Sequence, residues 1–187
     1  VLSPLLAAVA LLVRVTSRGP SLFRQQRVGE GGTVFTLYKF RSMHWGSEGP
    51  EVTARADPRV TPLGRLIRRT KVDELPQLLN LVRGDMTLVG PRPETIALAR
   101  RYPAECQWVF AYRPGLTGPV QLSSRELAAP PEGERDPEGY YLNVLVPRRV
   151  ALDAEFLAAP SLPRELAMVL RTIRSLVAPT GPVSRAA

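Results

Sequence analysis

The sequence has one cysteine and one histidine in 187 residues, and that scarcity excludes several chemistries at the outset. Cys106 alone cannot close an internal disulfide or furnish a multi-cysteine zinc site, and His44 alone cannot make a histidine-rich metal centre. A Ser-His-Asp triad would have to be built on that same histidine. Aromatic residues reach only 6%, and no GxGxxG spacing offers a dinucleotide fingerprint. Lysine is nearly absent, since 23 of the 25 basic residues are arginine. What remains is 44% hydrophobic and 22% charged, which is globular rather than disordered and fits a single domain over residues 1–187. Nineteen prolines predict short elements with sharp joints.

Charge is unevenly placed. Residues 1–101 hold 16 Lys and Arg against 8 Asp and Glu, whereas residues 102–187 hold 9 against 9, so the net charge of +8 belongs to the first part. Such a surplus suits an anionic partner: nucleic acid, an acidic membrane surface or a phosphorylated substrate.

Residues 1–13 (VLSPLLAAVALLV) are apolar apart from Ser3 and Pro4, and Arg14, Arg18, Arg24 and Arg27 follow. As a helix this run covers roughly 20 Å, short of the roughly 30 Å hydrocarbon core of a bilayer. A signal peptide is a poor reading, because no basic region precedes the run and no small-residue cleavage site follows it. Two readings remain, a buried core helix or a membrane-inserted segment broken near Pro4 and flanked by arginines at the headgroups. On the second reading part of the segment lies upstream of Val1, because the chain opens in the middle of the hydrophobic run without an initiator methionine.

Residues 23–43 (FRQQRVGEGGTVFTLYKFRSM) are split by Gly29, Gly31 and Gly32, and their β-prone halves predict a hairpin. In a strand, Lys39 and Arg41 share one face, with Tyr38 and Phe40 on the other. Residues 44–59 and 130–138 read as loops, the latter mobile, and residues 163–177 as an amphipathic helix that is either interfacial or an ordinary surface helix.

The densest chemistry lies in residues 61–94 (TPLGRLIRRTKVDELPQLLNLVRGDMTLVGPRPE). Apolar residues at 72, 75, 78, 79 and 82 give a helical spacing, and Pro76 places the helix start between Thr70 and Asp73. Asp73 and Glu74 then stand at a helix N-terminus with Arg68, Arg69 and Lys71 beside them. Two carboxylates among three cations suit a divalent metal plus a phosphate, or, more plainly, a capping carboxylate with a solvated basic face.

FRQQRVG, YKFRSM, VDELPQLLNLVRGDMTLVGPRP and RPGLTG, in this order, resemble the bacterial sugar transferase family of monotopic phosphoglycosyl transferases. The resemblance implies an α/β fold: a compact, helix-rich monotopic membrane domain with a short β-hairpin and an N-terminal re-entrant membrane helix. It implies transfer of a phosphosugar from a UDP-sugar to undecaprenyl (polyprenol) phosphate with release of UMP, through an aspartyl-phosphosugar intermediate, at the start of surface-glycan assembly. By the same resemblance Asp73 is the nucleophile, Glu74 its partner, and both are ligands of Mg²⁺. Arg68 holds phosphate, Lys39 and Arg41 belong to a basic strand, and Arg92 between Pro91 and Pro93 binds the nucleotide. The implied place is the cytoplasmic face of the bacterial inner membrane, in contact with membrane lipid and not nucleic acid, with protein partners unspecified. Two other readings of the chain are a non-catalytic membrane scaffold of the same fold and a basic nucleic-acid-binding protein. Lys71-Val72 depart from the family's usual Ser-Leu before the acidic pair, and Pro119-Val120 depart from its usual pattern before Gln121.

Overall fold

The structure is a computed structural model that describes residues 3–177 apart from 54–56, 124–126, 128 and 132. It opens with helix α1, Ser3–Thr16, whose Pro4 sits in the first turn, where a missing N–H costs nothing. The expected break at Pro4 is therefore the start of the described helix, and no helix of the described residues is long and apolar enough to cross a membrane. Val9 and Val13 are buried on α1, whereas Leu5, Leu11, Leu12 and Val15 are exposed.

Strands β1 (Leu22–Val28) and β2 (Val34–Phe40) form the expected antiparallel hairpin, running from Leu22 opposite Phe40 to Val28 opposite Val34. Gly31 and Gly32 turn the chain at φ +64° and +78°, a region that side-chain-bearing residues rarely enter. Alternation puts Phe23, Gln25 and Arg27 of β1 on the same face as Leu37 and Lys39 of β2. On the other face Phe40 joins Val9 and Val13 of α1 and Ile67 in one apolar cluster. Burial of this cluster fastens α1 to the hairpin.

Helix α2, Pro62–Arg69, is capped by the Thr61 hydroxyl, which accepts from the Gly64 N–H at 2.8 Å. Gly64 lies so close to the chain at Ser42 that a Cβ would stand 1.9 Å from the Ser42 carbonyl oxygen. After Thr70 the backbone of Lys71 turns left-handed, at φ 53°, and Val72–Gln77 wind as a 3₁₀ helix before α-helix α3, Leu78–Arg83. The sequence reading of an α-helix starting between Thr70 and Asp73 is thus corrected. Pro76 has no N–H to give the Val72 carbonyl and its ring crowds that oxygen, so α-winding waits until Leu78. Fully buried Asn80 pins α3 across the middle of β2: its Nδ2 donates to the Thr36 carbonyl at 2.7 Å, and its Oδ1 accepts from the Tyr38 N–H at 3.3 Å.

Strands β3 (Thr87–Val89) and β4 (Gly115–Thr117) pair in parallel and deliver the chain to Gly90 and Pro91. Beyond the prolines, the segment returns to the hairpin, where the Val28 N–H donates to the Glu94 carbonyl at 2.9 Å. Short helical turns lead to Pro137–Tyr140, capped by Asp136, and the chain continues through a π-helical turn at Tyr141–Leu145 into α4, Val146–Leu157. Leu142, Leu145 and Val146 join Leu98, Cys106 and Val109 in the largest apolar cluster. Of residues 130–138, read as a loop, the described ones are irregular up to Asp136, and Pro137 and Glu138 begin the helical stretch. The last described element, α5 (Leu162–Val177), exposes Leu162, Leu166, Leu170, Ile173 and Leu176.

Candidate active site

Asp73 and Glu74 occupy the first turn of the 3₁₀ helix and line a cavity of about 260 Å³. The left-handed Lys71 breaks the direction of α2, so the acidic pair turns inward instead of continuing along that helix. Arg68, at the end of α2, reaches the same cavity with its Nε donating to the Ser42 hydroxyl at 2.7 Å. From β2 comes Lys39, from β1 Arg27, and from the turn after β3 comes Arg92. Four separate stretches of chain therefore converge cations on one pair of carboxylates. The six-residue 3₁₀ turn is too short to supply a helix dipole, so the positive field here comes from side chains.

That field is reflected in protonation. Asp73 is buried, and burial followed by repulsion from Glu74 raises its pKa to about 6, while Lys39 and Arg68 restrain the rise. Lys39 is lowered to about 8, first by burial and then by Arg27, Arg68 and Arg92, with Asp73 opposing. At neutral pH the carboxylate of Asp73 is mostly ionised and Lys39 mostly charged.

Arg92 is exposed between the buried Pro91 and Pro93, and its Nη1 stands 3.9 Å from Glu74 Oε1. The Pro91 carbonyl accepts from the Gly115 N–H at 2.8 Å and the Pro93 carbonyl from Arg27 Nη1 at 3.1 Å, so both flanks of the arginine are tied down. Arg41 sits apart from the acidic pair. Its Nη2 donates to the Val13 carbonyl at 3.1 Å and to the Ser17 carbonyl at 2.8 Å, joining the end of α1 to the hairpin. Lys39 and Arg41 nonetheless line a common neighbouring cavity of about 440 Å³, as alternation along one face requires.

Several residues here escaped the sequence reading. Arg27 follows the apolar run as a flanking arginine, yet its period-two spacing from Phe23 and Gln25 is a local signal for the face it occupies. Glu94 is buried and accepts from Tyr102 Oη at 3.0 Å and from Tyr141 Oη, while Arg149 Nη1 donates to Tyr141 Oη at 2.7 Å. Tyr141 and Arg149 come from far along the chain, and no local pattern couples them to Glu94. Together they form the wall of the cavity behind the Arg92 turn.

No group of three or more His, Cys, Asp and Glu side chains that could hold a metal exists among the described residues. Two adjacent carboxylates in a cation-lined cavity nevertheless fit Mg²⁺, which is commonly held by one or two carboxylates together with substrate phosphates.

The chain resembles characterised bacterial proteins over most of its length. It is 43% identical over 180 residues to a UDP-glucose:undecaprenyl-phosphate glucose-1-phosphate transferase of Caulobacter vibrioides, covering 94% of this chain and 63% of that protein. It is 41% identical over 184 residues to an undecaprenyl-phosphate glucose phosphotransferase of Komagataeibacter xylinus, covering 92% and 32%. An undecaprenyl-phosphate galactose phosphotransferase of Salmonella typhimurium is 41% identical over 141 residues, covering 66% and 29%. The chain thus spans less than two thirds of the length of each of these relatives. The model of the bacterial sugar transferase family matches residues 1–179, almost the whole chain, and the protein belongs to that family.

Proposed function

We propose that this domain transfers a sugar phosphate from a UDP-sugar to undecaprenyl phosphate, by way of a covalent intermediate on Asp73, as the first step of a bacterial surface glycan. The observation that carries the reading is the buried Asp73 carboxylate beside Glu74, facing a cavity that Lys39, Arg68, Arg27 and Arg92 also line. A carboxylate surrounded by cations is a competent nucleophile toward phosphorus, because the same charges that keep it ionised also neutralise the phosphate it attacks.

In the first half-reaction an Asp73 oxygen forms a bond to the β-phosphorus as the bond from that phosphorus to the bridging oxygen breaks. UMP departs with that oxygen, and the phosphosugar remains as an acyl phosphate. Arg68, oriented by Ser42, and Lys39 hold the transferred phosphate, while Arg92, fixed between two buried prolines, takes the nucleotide side. Glu74, next to Asp73 in the chain and 3.9 Å from Arg92 Nη1, would hold Mg²⁺ together with Asp73. The metal, when bound, neutralises charge on the diphosphate and on the departing UMP. In the second half-reaction the acceptor phosphate takes the phosphosugar and frees the Asp73 carboxylate.

The relatives, named for transfer of glucose phosphate in one and galactose phosphate in another, support the class of reaction and leave the sugar open. The exposed leucines of α1 support a membrane-seated domain, and the family resemblance extends the proposal to a re-entrant segment containing α1 and to the cytoplasmic side. The test is to incubate membranes containing the full-length protein with a panel of radiolabelled UDP-sugars, Mg²⁺ and undecaprenyl phosphate. One of the sugars should pass into a diphosphate-linked lipid with equimolar UMP, and absence of label in lipid with every sugar would contradict the proposal.

A further inference from the structure

Three open cavities follow in series, each sharing lining residues with the next. The one holding Asp73 shares Lys39, Arg68 and Arg27 with the neighbouring cavity of about 440 Å³. That cavity shares Phe23 and Trp45 with a third, about 760 Å³, which opens at the end of α1 beside Arg14 and Arg24. The chemistry changes along the run, from carboxylates and cations at the Asp73 end to aromatic and aliphatic side chains at the α1 end.

Trp45 is 61% exposed, yet its root is fixed. Gly19 takes φ +107° beneath it, and a Cβ there would meet Trp45 Cγ at 2.7 Å and Arg41 Nη1 at 2.3 Å. The indole is therefore set on the turn that follows α1, with its outer part open. Phe23 links the two ends of the run, since Lys39 Nζ lies 5.1 Å from its ring centroid. Between them is Arg41, a buried guanidinium whose Nε and Nη1 have no hydrogen-bond partner among the described residues. An amphiphile with an anionic head and an apolar stem matches this order of surfaces.

Resting on the phosphoglycosyl transfer reading, we propose that this run is the acceptor's path, with the phosphate of the polyprenyl phosphate at Lys39 and Arg68 and its first isoprene units against Phe23 and Trp45. The donor nucleotide belongs at the opposite end of the run, because Arg92 lines the Asp73 cavity and neither of the two cavities toward Trp45. The exposed apolar face of α1 ends where the run opens, beside Arg14 and Arg24, so a lipid moving along that helix meets Trp45 before it meets Lys39 and Arg68. In the step served, an acceptor phosphate oxygen forms a bond to the phosphosugar phosphorus while the bond from that phosphorus to Asp73 breaks. The products are a diphosphate-linked lipid and the free carboxylate. Trp45 thus acts on the second half-reaction only.

The test uses the full-length protein in detergent micelles and separates the two halves. Trp45→Ala should release UMP from a UDP-sugar, without acceptor, in the same burst as wild type. Its KM for undecaprenyl phosphate should rise about tenfold, and so should its KM for water-soluble geranyl phosphate, with kcat little changed. Phe23→Leu should move in the same direction, and Trp108→Ala, whose ring packs against Tyr112 away from the run, should change nothing. Unchanged acceptor KM in both variants overturns the path. A rise confined to undecaprenyl phosphate also overturns it, because Trp45 would then be a contact with the lipid phase rather than with the acceptor's head-proximal units. Absence of a UMP burst in the wild type defeats the underlying transfer reading instead, so the two failures are distinguishable.

Discussion

On the proposed mechanism Asp73 must stay ionised to act, and its surroundings pull in both directions. Burial and Glu74 place its pKa at about 6, while burial and the neighbouring arginines place that of Lys39 at about 8. The reactive pair is Asp73 without its proton and Lys39 with one. Lowering pH through 6 protonates the nucleophile, and raising pH through 8 discharges the lysine, so kcat/KM for UMP release should be bell-shaped with limbs near those values. Lys39→Arg keeps its charge throughout and should lose the alkaline limb while retaining the acid one; a profile identical to wild type would remove Lys39 from the site. Placement matters as much as charge. Arg68→Ala and Arg92→Ala should each lower kcat/KM about ten- to hundredfold, as expected for a charge-assisted hydrogen bond, whereas exposed Arg100→Ala should be neutral. Equal losses at all three would leave only a diffuse electrostatic role.

At the scale of elements, the junction between α2 and α3 decides where the acidic pair points. Lys71 accepts a left-handed backbone that costs an L-residue about 1–2 kcal/mol. Lys71→Gly should therefore leave the melting temperature unchanged or slightly raised, and Lys71→Val should lower it, because a β-branched residue resists that conformation. Gly64→Ala tests the packing that carries Arg68. Its Cβ would stand against the Ser42 carbonyl, so α2 must shift away from the chain whose hydroxyl orients Arg68. We expect a fall in both melting temperature and turnover, and a normal melting temperature would mean that the approach is not close in solution.

The same junction separates what the sequence could reveal from what it could not. The hairpin was legible, since its glycines and alternation are local signals, and so was the Asp73-Glu74 pair with Arg68. The 3₁₀ winding was not, although Pro76 announced a constraint, because the choice between α and 3₁₀ depends on how the turn packs against β2. Asn80 looked like one more polar position on a helix. It is instead the buried link between α3 and the hairpin, a role that needs Thr36 and Tyr38 in place before it can be seen. Arg41 was placed on the face of Lys39, and it lies there, but its bonds to Val13 and Ser17 come from a helix that sequence spacing alone does not bring near.

Across the whole molecule, cations and apolar surface are arranged around one cavity. α1 and α5 each expose leucines beside arginines, which suits the proposed seat on an acidic lipid surface. The full-length native protein should sediment with membranes and require detergent, rather than salt or alkali, for release; its recovery in the soluble fraction would contradict that seat. The proposed function joins these features in one chemical event, the passage of the phosphosugar through Asp73. It is tested most directly by incubating the full-length enzyme with a UDP-sugar labelled at the β-phosphate, with Mg²⁺ and no acceptor. Wild type should hold label on a peptide containing Asp73, release stoichiometric UMP and surrender the label to lipid when polyprenyl phosphate is added, while Asp73→Asn does none of these. UMP release that waits for the acceptor, together with appreciable turnover by Asp73→Asn, would mean that Asp73 is not the nucleophile.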